Sequence, residues 1–253
     1  MRDINTALEE HVKYVKERAN LDENQYMGIF VYGSQNYGVA AENSDVDTKL
    51  IYVPTLEQLL DNSDKTKTYE LENGEHCELM SISHLVKNFR KQNINFLEIL
   101  YTPYHLLYTD YADIYKDYFV TQRELISHYD IKQAVRSISG QAIHTLSQNP
   151  LDGKKVGNGY RLFNFLTQYI KGDNYIYCLT PSKTIRDRII TLKQTTALTD
   201  SSVADGLIKS FKQLDELVKT NDFNIFEANK EFVDNKMMTG MKKMVRTLDE
   251  KIR

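Results

Sequence analysis

Residues 28–53 read GIFVYGSQNYGVAAENSDVDTKLIYV, and the fold is decided in this stretch. An apolar run, Ile29-Phe30-Val31-Tyr32, meets Gly33-Ser34 and a polar loop holding a second glycine, Gly38. Asp45-Val46-Asp47 then opens another apolar run, Leu50-Ile51-Tyr52-Val53. Along a strand residues i and i+2 share a face, so Asp45 and Asp47 are expected side by side. Two ionised carboxylates that close repel one another unless a cation lies between them. A hard divalent cation such as Mg²⁺ takes oxygen ligands and leaves positions for substrate phosphates. Gly33 lets the backbone approach a phosphate closely. Ser34 adds a hydroxyl and an N–H, and a helix starting there would favour an anion.

The 253 residues suit one large domain or two small ones. Lys and Arg total 32 against 35 Asp and Glu, a net charge of −3, which argues against an extended, sequence-blind nucleic-acid surface. Cys77 and Cys178 are isolated in different apolar contexts and suggest a reducing compartment. The N-terminal residues are charged, without an apolar signal core, and no run is long enough to span a bilayer. A cytoplasmic protein with no membrane partner is expected.

Apolar spacing at Ile4, Leu8, Val12 and Val15 predicts a helix over 4–19. Strands follow over 28–32 and 47–53, then a short helix over 56–60. Asn73-Gly74 between two alternating runs is a hairpin signal, giving a third and a fourth strand. Ser83 caps a helix over 84–91, and Phe96 to Leu100 is a short apolar element. Helices are predicted over 111–119, 123–147, 155–171, from Pro181 to about 192 with Thr180 as cap, and over 203–219 and 225–251. The expectation is therefore an α+β chain: a mixed sheet flanked by helices over residues 1–104, then a helical lobe over 105–253, with a cleft between them.

The order apolar strand, Gly33-Ser34, Gly-bearing loop, Ser44-Asp45-Val46-Asp47, apolar strand resembles the signature of the DNA polymerase β-like nucleotidyltransferase superfamily. A narrower likeness is to predicted bacterial and phage nucleotidyltransferases of that superfamily, some encoded beside RNA-repair ligases. It rests on Gly33-Ser34-Gln35-Asn36-Tyr37-Gly38, the aspartate pair, Glu78-Leu79, Asn93-x-Asn95-x-x-Glu98-x-Leu100, Gly153-Lys154-Lys155, Tyr160-Arg161-Leu162 and residues 189–193. The chain departs from the group at Ile94, where Pro is frequent, and at the polar Thr48-Lys49.

The resemblance implies transfer of a nucleoside monophosphate from an NTP to an acceptor hydroxyl, with release of pyrophosphate. It implies Asp45 and Asp47 as ligands of two Mg²⁺ or Mn²⁺ ions and Gly33-Ser34 as the phosphate loop. Among four hairpin glutamates, Glu78 stands in the apolar strand on the face of Met80 and is expected to be the third carboxylate, acting as metal ligand and proton acceptor. Glu72 and Glu75, flanking the turn, are expected in solvent, and His76 is set aside as structural. Lys155, Arg161 and Lys193 are the candidate cations for the triphosphate. Lys155 and Arg161 are six residues apart, so they share no helical stripe unless Lys155 lies in the turn before the helix.

The acceptor stays open between an RNA end, a protein hydroxyl and a small molecule. A non-catalytic nucleotide- or RNA-binding module is the competing reading, and nucleotide hydrolysis a third. The tyrosine series Tyr101, Tyr104, Tyr108, Tyr111, Tyr115 and Tyr118 is read as helix packing rather than base stacking. Met237, Met238, Met241 and Met244 are read as a core face or a homo-oligomer surface on the last helix.

Overall fold

A computed structural model describes residues 2–40, 44–195, 201–221 and 229–252. The fold is α+β. A five-stranded mixed sheet is built from β1 (Tyr26–Tyr32), β2 (Asp47–Tyr52), β3 (Lys67–Glu70), β4 (His76–Ser81) and β5 (His105–Leu107), in the order β3-β4-β2-β1-β5. β2 and β4 run parallel; the other pairs are antiparallel. The loop between β1 and β2 brings the two strands of the opening stretch together, with Tyr32 opposite Asp47 and Ile29 opposite Leu50.

The twofold alternation of side chains gives this sheet two different faces. Ile29, Val31, Val46, Leu50, Cys77 and Leu79 point to one side, where they pack on helix α1 (Ile4–Lys16) through Ala7, Leu8 and Val15. Asp3 caps α1 by accepting the Thr6 N–H at 2.8 Å. Phe30, Ile51 and Met80 point to the other side and join a larger apolar cluster that runs from Met27 to Leu248, so the sheet and the C-terminal helices share one core.

The remaining helices are α2 (Leu56–Leu60), α3 (Ile82–Arg90), α4 (Ile94–Leu97), α5 (Thr109–Tyr115), α6 (Arg123–Ser127), α7 (Ile131–Leu146), α8 (Gly153–Tyr169), α9 (Tyr175–Leu179), α10 (Lys183–Lys193), α11 (Ser202–Thr220) and α12 (Lys230–Ile252). No helix of the described residues is long and apolar enough to cross a membrane.

Several expectations are corrected. Ser81, not Ser83, caps α3, because its hydroxyl accepts the His84 N–H at 3.2 Å. The helix expected over 123–147 is two: α6 ends near His128, and Asp130 caps α7 by accepting the Gln133 N–H at 2.8 Å. α10 starts after Ser182 rather than Thr180, and α9 was not foreseen. β5 was not foreseen either. No helix begins at Gly33-Ser34; residues 34–38 form turns, with Gly33 and Gly38 at positive φ of 85° and 64°. The residues 225–228 assigned to the last helix lie outside the described residues.

In the tyrosine series Tyr101, Tyr111 and Tyr115 are buried, as packing requires. Met237 and Met244 are buried within the chain, and Gly240 between them sits against Tyr118 and Phe119.

Candidate functional site

The end of the sheet where β1 passes into the Gly33–Gly38 turns and β2 begins opens onto a cavity of about 560 Å³. From the sheet it is lined by Tyr32, Gly33, Ser34, Tyr37, Val39, Ser44, Asp45 and Asp47. From the helices come Asn95, Gln141, Thr145, Asp152, Lys154, Lys155, Asn158, Arg161 and Lys193. The structure therefore gathers seven of the eight residues singled out by sequence into one cavity; Glu78 is not among its lining residues.

Asp45 is exposed and Asp47 half-buried. Burial, and next the charge of Asp45, raise the Asp47 carboxyl above the ordinary value. His76 works against this: its N–H donates to Asp47 Oδ1 at 3.3 Å, and its ring Nδ1 is 3.5 Å from the same oxygen. The parallel pairing of β4 with β2 explains the contact. Lys49 pairs with Glu78 and Thr48 with Cys77, so the residue of β4 beside Asp47 is His76. His76, set aside in the sequence, is thus the titratable neighbour of the aspartate pair.

Glu78 lies one alternation further along the same face, next to Lys49. Lys49 is only 2% exposed; its ammonium is bound by Glu78 and lies 4.0 Å from the Tyr32 ring centre and 4.1 Å from that of Phe96. A carboxylate and two ring faces together make a buried lysine tenable. The sequence signalled this only as an oddly polar residue inside an apolar strand. For Glu78 to reach a cation, its pair with Lys49 must open. Among the described residues, no three His, Cys, Asp or Glu side chains form a metal-holding group.

The Gly33–Gly38 loop is anchored from behind by Glu98, which is 0% exposed. Its Oε2 accepts the Gly33 N–H at 3.0 Å and the Asn36 side-chain amide at 3.2 Å. Burial raises the Glu98 carboxyl above its ordinary value; Tyr37, the Gly33 N–H and Arg161 offset part of that. Glu98 Oε1, the Tyr37 hydroxyl and Arg161 Nη1 are buried, and none has a hydrogen-bond partner among the described residues. Arg161 stacks over the Tyr37 ring at 4.0 Å, and its Nε and Nη2 donate to Asn158 Oδ1 at 3.2 and 3.0 Å. The Glu98 part of the Asn93 to Leu100 motif is thereby tied to the Gly33 loop and to α8.

The cations come from α8 and α10. Gly153 begins α8 against the end of α10: its N–H donates to the Thr195 carbonyl at 3.1 Å, and a Cβ there would lie 1.8 Å from the Leu192 carbonyl oxygen. That contact brings Lys154, Lys155 and Lys193 to one rim. Lys155 lies in the first helical turn, not before the helix; its ammonium folds back to the Pro150 carbonyl. Side chains in a first turn lean toward the N-terminus, so Lys155 and Arg161 both line the cavity from different stripes. Lys193 donates to the Val39 carbonyl at 3.1 Å. Burial, then Arg161 and Lys154, lower its ammonium to about 8 against the pull of Asp45. Lys154 is a lining cation that the sequence reading did not select.

One further correction concerns Glu75, expected in solvent. It is 5% exposed, on the far side of the sheet from the cavity, within a network with His11 and Arg2. Asn73, whose amide donates to it at 3.0 Å, turns it inward.

No protein-family model matches the chain, and no curated protein matches it. In structure it is similar to a nucleotidyltransferase-like protein from Exiguobacterium sibiricum 255-15, solved at 1.90 Å. The TM-score is 0.30 and the identity 12%, over 98% of this chain and 75% of that one.

Proposed function

We propose that the chain is a metal-dependent nucleotidyltransferase, moving a nucleoside monophosphate from an NTP to an acceptor hydroxyl with release of pyrophosphate. The observation that carries this reading is the pairing of opposite charge excesses in one cavity. Asp45 and Asp47 repel on the sheet side; Lys154, Lys155, Arg161 and Lys193 crowd on the helix side. Burial, and after it a like-charged neighbour, raises the Asp47 carboxyl and lowers the Lys193 ammonium, so both mark charge awaiting a counter-charge. A triphosphate with divalent cations supplies both signs at once.

The donor set fits such cations. Two carboxylates are the protein share typical of Mg²⁺ beside phosphates, the remaining positions going to phosphate oxygens and water. Asp45 and Asp47 would hold them. When bound, the metal neutralises the triphosphate, lowers the acceptor hydroxyl's pKa and stabilises the leaving pyrophosphate. Gly33 and Ser34 offer the backbone and hydroxyl contacts to the phosphates, held in place by Glu98. Lys154, Lys155, Arg161 and Lys193 offset the charge that develops on the phosphate oxygens. The acceptor oxygen bonds to the α-phosphorus, the α–β bridging bond breaks, and the hydroxyl proton leaves toward the side of Asp47 and His76. Glu78 acts through Lys49 unless that pair opens on metal binding.

The acceptor is an RNA end, a protein hydroxyl or a small molecule; motif likeness to transferases encoded beside RNA-repair ligases puts RNA ends first for testing. The protein is incubated with each α-³²P-labelled NTP, Mg²⁺, and total RNA or cell lysate, beside Asp47→Asn. Label moving to an acceptor, with pyrophosphate formed only by the wild type, is the expected result. Mg²⁺-dependent NTP binding without transfer to any acceptor would favour a binding module, and release of free monophosphate would favour hydrolysis.

A further inference from the structure

Alternation along β2 turns Asp45 and Asp47 to the cavity and Val46 and Thr48 to α1. On that rear side both neighbours of Asp47 are tethered. The Val46 N–H donates to Glu75 Oε1 at 3.0 Å. The Thr48 hydroxyl donates to His11 Nδ1 at 2.7 Å, and His11 Nε2–H donates to Glu75 Oε2 at 3.0 Å. The carboxylate can only accept, which fixes this tautomer. Burial, as the largest influence, lowers His11 below its ordinary value, so the neutral ring is the working form. Arg2 and Asn73 complete the partners of Glu75 Oε2.

Burying a carboxylate is costly, and apolar side chains of similar volume serve stability as well or better. A fully partnered polar network is instead suited to holding one backbone geometry. Here the backbone held is that of the aspartate pair, and neither Glu75 nor His11 lines the cavity.

We propose that Glu75 is a positioning residue: by taking the Val46 N–H from behind the sheet, with His11 as a second tether on Thr48, it sets the spacing at which Asp45 and Asp47 accept a divalent cation. This rests on reading the pair as a cation site. Groups that orient metal ligands without touching the metal typically change affinity by roughly 10–100-fold when removed.

The test compares two variants of the full chain. Glu75→Asp keeps the charge but retracts it from the Val46 N–H; Glu75→Gln loses the charge but keeps an oxygen for the Val46 N–H, its amide NH2 facing His11 in the other tautomer and releasing the Arg2 and Asn73 donors to solvent. Mn²⁺ affinity is measured without nucleotide by the paramagnetic resonance of free Mn²⁺, with thermal unfolding recorded in the absence of metal. Glu75→Asp is expected to bind Mn²⁺ at least roughly tenfold more weakly while still folded, and its Val46 amide to exchange faster. Glu75→Gln is expected to stay within about twofold of wild type, the signature of a bond rather than a charge. Wild-type affinity in Glu75→Asp, or equal losses in both variants, would overturn the proposal. Equal Mn²⁺ binding by wild type and Asp47→Asn would instead overturn the cation-site reading beneath it.

Discussion

Replacing Glu78 by glutamine separates its two possible roles, partner of Lys49 and third ligand of a cation. Lys49 is 2% exposed, so Glu78→Gln leaves an ammonium buried against Tyr32 and Phe96 without its counter-charge. Breaking a fully buried pair costs about 3–5 kcal/mol. The Glu78 side chain is 21% exposed, and two ring faces still attract the ammonium, which together leave about 2–3 kcal/mol. At about 2–4 °C per kcal/mol for a chain of this size, the melting temperature should fall by about 4–12 °C. Adding Lys49→Met removes the stranded charge and should restore most of that loss, a coupling that a double-mutant cycle reads directly. Thermal and urea unfolding of the four proteins give the stability cycle, and pyrophosphate release gives the activity cycle. If Glu78 acts through Lys49, both recover together in the double variant. The reasoning is refuted if Glu78→Gln unfolds within about 0.5 kcal/mol of wild type while transfer is lost and stays lost in the double variant.

Further outcomes are expected at Glu98, Lys193 and Gly153. Glu98→Ala leaves the half-buried Gly33 N–H without its acceptor and removes one of the two acceptors of the Asn36 amide, the Val31 carbonyl remaining, and should cost about 1–3 kcal/mol in urea unfolding. The Glu98 carboxyl is raised in the fold, so the stability it contributes is present below its unfolded value of about 4.3 and lost as pH rises through the folded one. Glu98→Gln should therefore gain on wild type from pH 4 to pH 7, and a pH-independent difference would contradict the assignment. Lys193, lowered to about 8, is protonated below that pH, so NTP affinity should weaken as pH rises through 8 by up to about tenfold per pH unit. Lys193→Gln should flatten that limb in a binding titration. Gly153→Ala forces a methyl into the Leu192 carbonyl and should cost about 3 kcal/mol by thermal unfolding, weakening NTP binding as the α8–α10 contact opens.

The sheet half was readable because its signals are local. Alternation around residues 29–32 and 47–53, and Asn73-Gly74, each need only a few neighbours, and all became paired strands. The same period placed Asp45 and Asp47 on the cavity side. What was missed depends on partners distant in sequence. Glu75 beside a turn looks like surface until α1 brings His11 against it from 64 residues away. Lys49 looks like an interruption until Glu78, Tyr32 and Phe96 enclose it. His76 stands beside Asp47 only because β4 pairs parallel to β2, and pairing direction leaves no mark in either strand. β5 is three residues long and takes its pairing from β1, too short for a periodic signal. The break between α6 and α7 rests on the Asp130 cap within an otherwise continuous helical pattern.

The central claim is that the aspartate pair and the lysine–arginine rim bind one metal–triphosphate ligand. It is tested without knowing the acceptor by calorimetric titration of an NTP with a non-cleavable α,β-methylene bridge, with and without Mg²⁺, into wild type, Asp45→Asn and Asp47→Asn. The account predicts that Mg²⁺ tightens wild-type binding by at least about tenfold, some 1.4 kcal/mol, and that either aspartate change removes the Mg²⁺ effect. Wild-type binding that is indifferent to Mg²⁺, or a Mg²⁺ effect that survives in both variants, would contradict it.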